Sequence, residues 1–274
     1  MQLSLGFSPC PNDTFIFDAL IHHRIKHSFD FDLHLEDVEK LNQHAFNAKL
    51  DISKLSFHAW AHLTDTYQML TSGAALGFGV GPLLISKKPL SNTDLENGLV
   101  AIPGKWTTAN FLLGYNYPVI QNKREMLFSQ IEASIESGEC IAGVIIHENR
   151  FTYRERGFHL IADLGEMWEQ KTKMAIPLGG IAIKRSINRE IKIEIQSLIR
   201  ESIEYAYANP SLSLPFIAEN SQEIDPEVTK KHIDLYVNEY SLDLKEEGTA
   251  ALEHMLSVLL TKNIIKSYPK KLFL

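Results

Sequence analysis

His147 follows the run Ala142-Gly143-Val144-Ile145-Ile146, and this is where the sequence most plainly offers proton-transfer chemistry. The run is apolar without alternation, as in a strand buried on both faces, and a titratable ring at the C-terminal end of such a strand stands where open α/β sheets bind ligands. An imidazole, with an unperturbed pKa of about 6.5, exchanges protons close to neutrality. The same residue would also serve simply to cap or hydrogen-bond the helix that follows. Next come Asn149-Arg150-Phe151-Thr152-Tyr153. There Arg150 is either a partner for a substrate carboxylate or a solvated residue on a helix face.

Three more segments set polar or turn residues beside strand-like runs: Ser8-Pro9-Cys10-Pro11-Asn12-Asp13-Thr14, Gly77-Phe78-Gly79-Val80-Gly81-Pro82 and Pro103-Gly104-Lys105-Trp106-Thr107-Thr108. Where such a segment opens a helix, its first backbone N–H groups point at a ligand space, so Ser8, Asn12, Thr107 and Thr108 are candidates for substrate contact. A threonine hydroxyl that caps a helix satisfies the same geometry without a ligand. Gly79 belongs to a glycine series that lacks the spacing of a dinucleotide fingerprint and leads into a strand, so a nucleotide site is not expected. Ser56, at the end of the third strand, is either a donor to a ligand or a turn serine. Cys10, between two prolines at a helix mouth, would favour a thiolate, but the sequence supplies it with no fixed base. Cys140 reads as a small buried hydrophobe. His58 and His62 are four apart with no third ligand near, so no metal site is expected.

The elements that must position these residues alternate from the first residue. Leu3 to Phe7, 31–35, 51–56, 67–70, 81–88, 99–102, 141–146 and 178–184 read as strands. Helices are expected from Asn12 or Asp13 as the cap, at 38–49, 59–63, from Thr107 or Thr108, at 127–137, 190–208, 226–240 and 246–260. The class is α/β. Pro89 and Ser91-Asn92-Thr93-Asp94 form the best linker signal, after which a new strand and helix series begins. The expected organisation is a discontinuous larger lobe, 1–88 and 178–274, interrupted by a smaller lobe, 89–177.

Hydrophobic residues are 45% of the 274 and charged residues 22%, enough for a packed core and against disorder. Net charge is −7 and the basic residues are scattered, which argues against nucleic acid as a partner. No segment approaches the roughly 20 apolar residues of a membrane span. The first residues lack a basic region followed by an apolar block, so the protein is expected in the cytoplasm, where its two cysteines would stay as thiols.

Taken together, Gly6 to Phe17, Leu35-Glu36-Asp37-Val38-Glu39, Lys54-Leu55-Ser56, Gly79-Val80-Gly81-Pro82, Thr107-Thr108, Ile145 to Tyr153, Leu164-Gly165, Pro177-Leu178-Gly179 and Tyr236-Val237-Asn238 resemble the 1,4-dihydroxy-6-naphthoate synthase family of the futalosine route to menaquinone. The resemblance implies a fold like type II periplasmic binding proteins, with two α/β lobes joined by two crossing strands and a ligand cleft between them. It implies a carbon–carbon lyase that converts cyclic dehypoxanthinylfutalosine to 1,4-dihydroxy-6-naphthoate with release of dihydroxyacetone, without metal or organic cofactor. His147 matches the family's proposed base, and Ser8, Asn12, Ser56, Gly79, Thr107, Thr108 and Arg150 are the expected substrate contacts. The partner is then a small carboxylate, and a homodimer is left open. Two rivals stand beside this reading: a solute receptor of the same fold, which missing export signals disfavour, and a chorismate dehydratase of the same pathway.

Overall fold

Pro11 decides where the first helix begins. With its φ preset and no N–H to lose, it occupies the first helical position, and Cys10 becomes the N-cap without its side chain capping the helix. The cap therefore falls earlier than the expected Asn12 or Asp13, and Asp13 sits in the first turn. The computed structural model describes residues 1–221 and 225–274. Its elements, in chain order, are β1 (Gln2–Phe7), α1 (Pro11–Ile21), β2 (Asp30–Leu35), α2 (Val38–Phe46), β3 (Ile52–Ser56), α3 (Phe57–Ala61), β4 (Tyr67–Met69), β5 (Ala75–Gly77), β6 (Leu83–Ser86), α4 (Asn92–Asn97), β7 (Val100–Ile102), α5 (Thr108–Asn116), β8 (Lys123–Glu125), α6 (Ile131–Glu136), β9 (Ala142–Ile145), α7 (Asn149–Thr152), β10 (His159–Asp163), α8 (Leu164–Thr172), β11 (Ile176–Lys184), α9 (Arg189–Ala208), α10 (Pro210–Asn220), α11 (Pro226–Tyr236), α12 (Glu239–Leu242) and α13 (Lys245–Thr261). This is the α/β class expected from the alternation.

The chain divides into two compact units, 1–77 with 177–274, and 78–176. In the first, the sheet order is β2-β1-β3-β11-β4, with β5 on β11. β1 runs parallel to β2 and β3, whereas β11 is antiparallel to β3 and β4. Its core joins Leu3, Leu5 and Phe7 of β1 to Phe15, Ile16 and Leu20 of α1 and to Ile195, Ile199 and Ile203 of α9, spaced to share one helix face. Ser202 ties the two helices: its hydroxyl donates to the Ile16 carbonyl at 2.6 Å and accepts the Leu20 N–H at 3.1 Å. Val237 and Asn238 interrupt the helix expected over 226–240: both are extended, and Asn238 caps α12.

In the second unit the order is β10-β6-β9-β7-β8. β7 is parallel to β9 and β8, while β6 is antiparallel to β9 and β10. The strand at 83–86, set in the larger lobe by the sequence reading, thus pairs along the whole length of β9 in this sheet. Leu83, Ile85, Ala101, Phe128, Ile131, Ile135 and Ile145 pack into its core.

Candidate active site

In the first unit, the Ser8–Thr14 segment is organised around a carboxylate. Asp13 Oδ2 accepts the Ser8 N–H at 3.1 Å and the Ser8 hydroxyl at 2.7 Å; Oδ1 accepts Asn12 Nδ2 at 2.8 Å and Lys54 Nζ at 2.8 Å. Lys54 also donates to the Gly73 carbonyl at 3.2 Å. Both charged side chains are buried, at 6% and 2% exposure for Lys54 and Asp13. Asn12 reaches the other way, its Oδ1 2.9 Å from His232 Nε2. Four hydrogen bonds on one carboxylate make this loop a fixed object.

Ser56 ends β3 in a second buried network: its hydroxyl accepts Asn42 Nδ2 at 3.1 Å, its N–H donates to Asn42 Oδ1 at 3.0 Å, and Asn42 also meets Glu39. Beside it Asp37 caps α2; burial pushes its carboxyl pKa up, against the N–H groups of Glu39, Lys40 and Val38 that pull it down. Lys54, Asn42 and His232 are the polar residues that sequence reasoning passed over, and Asp13 was read there only as a candidate cap. A lysine inside Ile52-Ser53-Lys54-Leu55-Ser56 was the available signal. A cation in a buried strand requires an anion.

In the second unit, β7 and β9 are parallel neighbours with Val100 opposite Ala142, so the turns that follow them open at the same sheet edge. After β7 comes the Pro103–Thr108 turn. Thr107 is the N-cap of α5: its hydroxyl accepts the Asn110 N–H at 3.2 Å and donates to the Gly104 carbonyl at 2.8 Å. Thr107 and Thr108 are both buried, at 2% and 3% exposure. The Thr107 hydroxyl thus does the capping work that its spacing allowed.

After β9 comes His147, half-buried, with its ring tilted against Phe128 at 4.8 Å between centroids. Its φ is +58°, the left-handed region. A side chain with a Cβ held there costs about 1 kcal/mol or more, and such positions persist only where the surroundings hold them. Glu148 and Asn149, buried, lead straight into α7.

Arg150 lies on α7. Its guanidinium donates to the Gly81 carbonyl at 3.0 Å and stands 3.5 Å from Asp163 Oδ2. Asp163 Oδ1 meanwhile caps α8, accepting the N–H groups of Gly165 and Glu166 at 2.9 and 3.0 Å. Gly79, at φ +68°, donates its N–H to Glu169 of α8 at 2.6 Å. The structure therefore brings Ser8 and Asn12 together around Asp13, and Arg150 into the Gly79–Gly81 loop through the Gly81 carbonyl. The rings of His58 and His62 are 5.3 Å apart, and among the described residues no group of three or more His, Cys, Asp or Glu is placed to hold a metal ion. Among the same residues no helix is long and apolar enough to cross a membrane.

The sequence and the fold were both compared with known proteins. The family described as Menaquinone biosynthesis matches residues 3–260. A 1,4-dihydroxy-6-naphthoate synthase of Thermus thermophilus is 41% identical over 271 residues, covering 99% of this chain and 98% of that one. Among solved structures, protein AF1704 of Archaeoglobus fulgidus superposes with a TM-score of 0.90 at 33% identity, covering 96% of this chain and 98% of that one. The alkanesulfonate-binding protein SsuA of Xanthomonas axonopodis pv. citri, solved bound to MOPS, gives 0.73 at 12% identity, covering 99% and 96%. At that identity the likeness is one of fold, and it confirms the periplasmic-binding-protein-like architecture expected above. With identity running the length of the chain, the protein belongs to the menaquinone-biosynthesis family that includes the 1,4-dihydroxy-6-naphthoate synthases.

Proposed function

We propose that the protein is itself a 1,4-dihydroxy-6-naphthoate synthase, a lyase that converts cyclic dehypoxanthinylfutalosine to 1,4-dihydroxy-6-naphthoate and dihydroxyacetone in menaquinone biosynthesis. The observation that carries the reading is 41% identity to an enzyme of that name over 99% of the chain. Neutral His147 removes a proton from the sugar-derived part of the substrate; carbon–carbon cleavage follows, and aromatisation of the new ring supplies much of the driving force. The residues need only orient the substrate, move protons and stabilise enolate-like charge. The Thr107-Thr108 turn is assigned to the substrate carboxylate, because the start of α5 carries the positive end of the helix dipole and opens at the same sheet edge as His147. The enzyme works in the cytoplasm.

The test is incubation of the wild type and His147→Ala with cyclic dehypoxanthinylfutalosine, with dihydroxynaphthoate followed by chromatography and mass detection. Product from the wild type and a loss of roughly 10²–10⁴-fold in the variant are expected. A variant retaining more than about a tenth of wild-type turnover sinks the base assignment. No product from either, with tight binding, turns the reading to a receptor, and product only from a chorismate dehydratase assay turns it to that enzyme.

A further inference from the structure

The turn that carries His147 is strained, and the residue that ties it down is three positions further on. His147 sits at φ +58°. It emerges from β9 only to enter the single short turn of helix that is α7, too short to hold itself in water. One anchor of α7 is the Arg150 guanidinium, 13% exposed, which donates to the Gly81 carbonyl at 3.0 Å and faces the Asp163 carboxylate at 3.5 Å.

Both partners are themselves rigid. A Cβ built on Gly81 would lie 2.3 Å from the Gly165 Cα, so the loop and the start of α8 touch backbone to backbone. Asp163 is held by its two α8 capping bonds, at 2.9 and 3.0 Å. Arg150 thus clamps the His147 turn to a point fixed by three elements. Each of its two terminal nitrogens meets a protein acceptor, one a carbonyl and one a carboxylate, as a structural guanidinium's would.

We infer that Arg150 is a positioning residue for His147, holding the strained turn through Gly81 and Asp163, and not a contact for the substrate carboxylate. The kinetic part of this inference rests on His147 being the base, as proposed above. A proton acceptor must stand within hydrogen-bond reach of the proton it takes, and a displacement of about 1 Å costs on the order of 10²-fold.

The experiment compares Arg150→Met, Arg150→Lys and Asp163→Asn with the wild type and His147→Ala, in turnover and by NMR of [13Cε1]-histidine protein, the His147 signal being assigned by its loss in His147→Ala. Asparagine can still cap α8, so Asp163→Asn removes the charge and spares the helix start. For Arg150→Met, kcat should fall about 10–100-fold with KM within about twofold, and added guanidinium should restore part of it. Arg150→Lys and Asp163→Asn should fall less. The His147 signal should broaden or split in Arg150→Met while the other histidine signals and the melting temperature stay close to wild type. A rise in KM with kcat intact makes Arg150 a substrate contact and overturns the inference. An unmoved His147 signal overturns it as well, whatever the kinetics. If His147→Ala is active, the base assignment fails instead, and the NMR comparison still decides whether Arg150 holds the turn.

Discussion

The buried pair of Asp13 and Lys54 makes an ordered prediction for three variants. Asp13 receives hydrogen bonds from the Ser8 N–H, the Ser8 hydroxyl, Asn12 and Lys54; Lys54 has Asp13 and the Gly73 carbonyl. In Lys54→Met the carboxylate keeps three of its four donors, and methionine refills most of the volume. Each hydrogen bond to a charged group is worth about 1.5–3 kcal/mol, so the expected loss is about 2–3 kcal/mol. In Asp13→Asn one face of the new amide must turn its NH2 toward donors, either those of Ser8 or those of Asn12 and Lys54. Either the ammonium is left with one carbonyl, or it keeps the amide oxygen but loses its counter-charge, and in both cases the cost rises to about 3–5 kcal/mol. The double variant removes the stranded charge, so it should be more stable than the sum of the two losses by about 1–3 kcal/mol. The assay is urea unfolding combined with hydrogen exchange read by mass spectrometry on peptides from α1 and β3, because two compact units need not unfold as one transition. If Lys54→Met costs as much as Asp13→Asn, or the two losses simply add, the donor accounting is refuted.

Two further perturbations test other parts of the molecule. Burial raises the Asp51 carboxyl pKa, but the Ser4 N–H and hydroxyl and the Lys184 ammonium outweigh it and leave the pKa below the ordinary value of 3.8. Such a group adds stability above its unfolded pKa and loses it as pH falls through the folded one, so the gap in melting temperature between wild type and Asp51→Asn should be largest near neutrality and close at acid pH below about 4; a constant gap would contradict it. Gly165→Ala would place a Cβ 2.5 Å from the Gly81 Cα, a clash between backbones that side-chain motion does not relieve. We expect a loss of about 2 kcal/mol or more, read as faster exchange in peptides of α8 and the 78–82 loop, whereas Gly79→Ala, whose Cβ would meet nothing within 4 Å, should cost only its φ strain of about 1 kcal/mol.

How much could be read from residues alone differs by element. The strand before His147 was legible because an unbroken apolar run of that length, bounded by polar residues, reads as a buried strand in an α/β chain. The α9 stripe was legible for the same kind of reason: Ile195, Leu198, Ile199 and Ile203 repeat at helical spacing and are all buried. The Asp13–Lys54 pair was not, since its partners lie on different elements 41 residues apart and only the fold brings them together. Short strands also escaped. Lys123–Glu125 is three charged residues, and nothing in that composition marks a strand; it exists because β7 offers it an edge. The cap of α1 was misplaced because Asn and Asp are good caps in isolation, whereas Pro11 fixes the start from the other side of the boundary.

The place of β11 in the first sheet sets a timetable for the growing chain. β11 lies between β3 and β4, yet it is made after the whole of the 78–176 unit. Until Lys184 has left the ribosome, Ile52–Ser56 and Tyr67–Met69 have no strand between them, and the backbone groups they will turn toward β11 stay open to water or to another chain. At roughly 5–20 residues per second, the roughly 115 residues from Met69 to Lys184 take about 6–23 s. β6 to β10, by contrast, are contiguous, so the second sheet has every strand it needs before the first has its centre. The nascent protein thus passes through a stage in which the 78–176 unit is complete while β3 and β4 still present unpaired edges, the stage at which a chaperone would matter most.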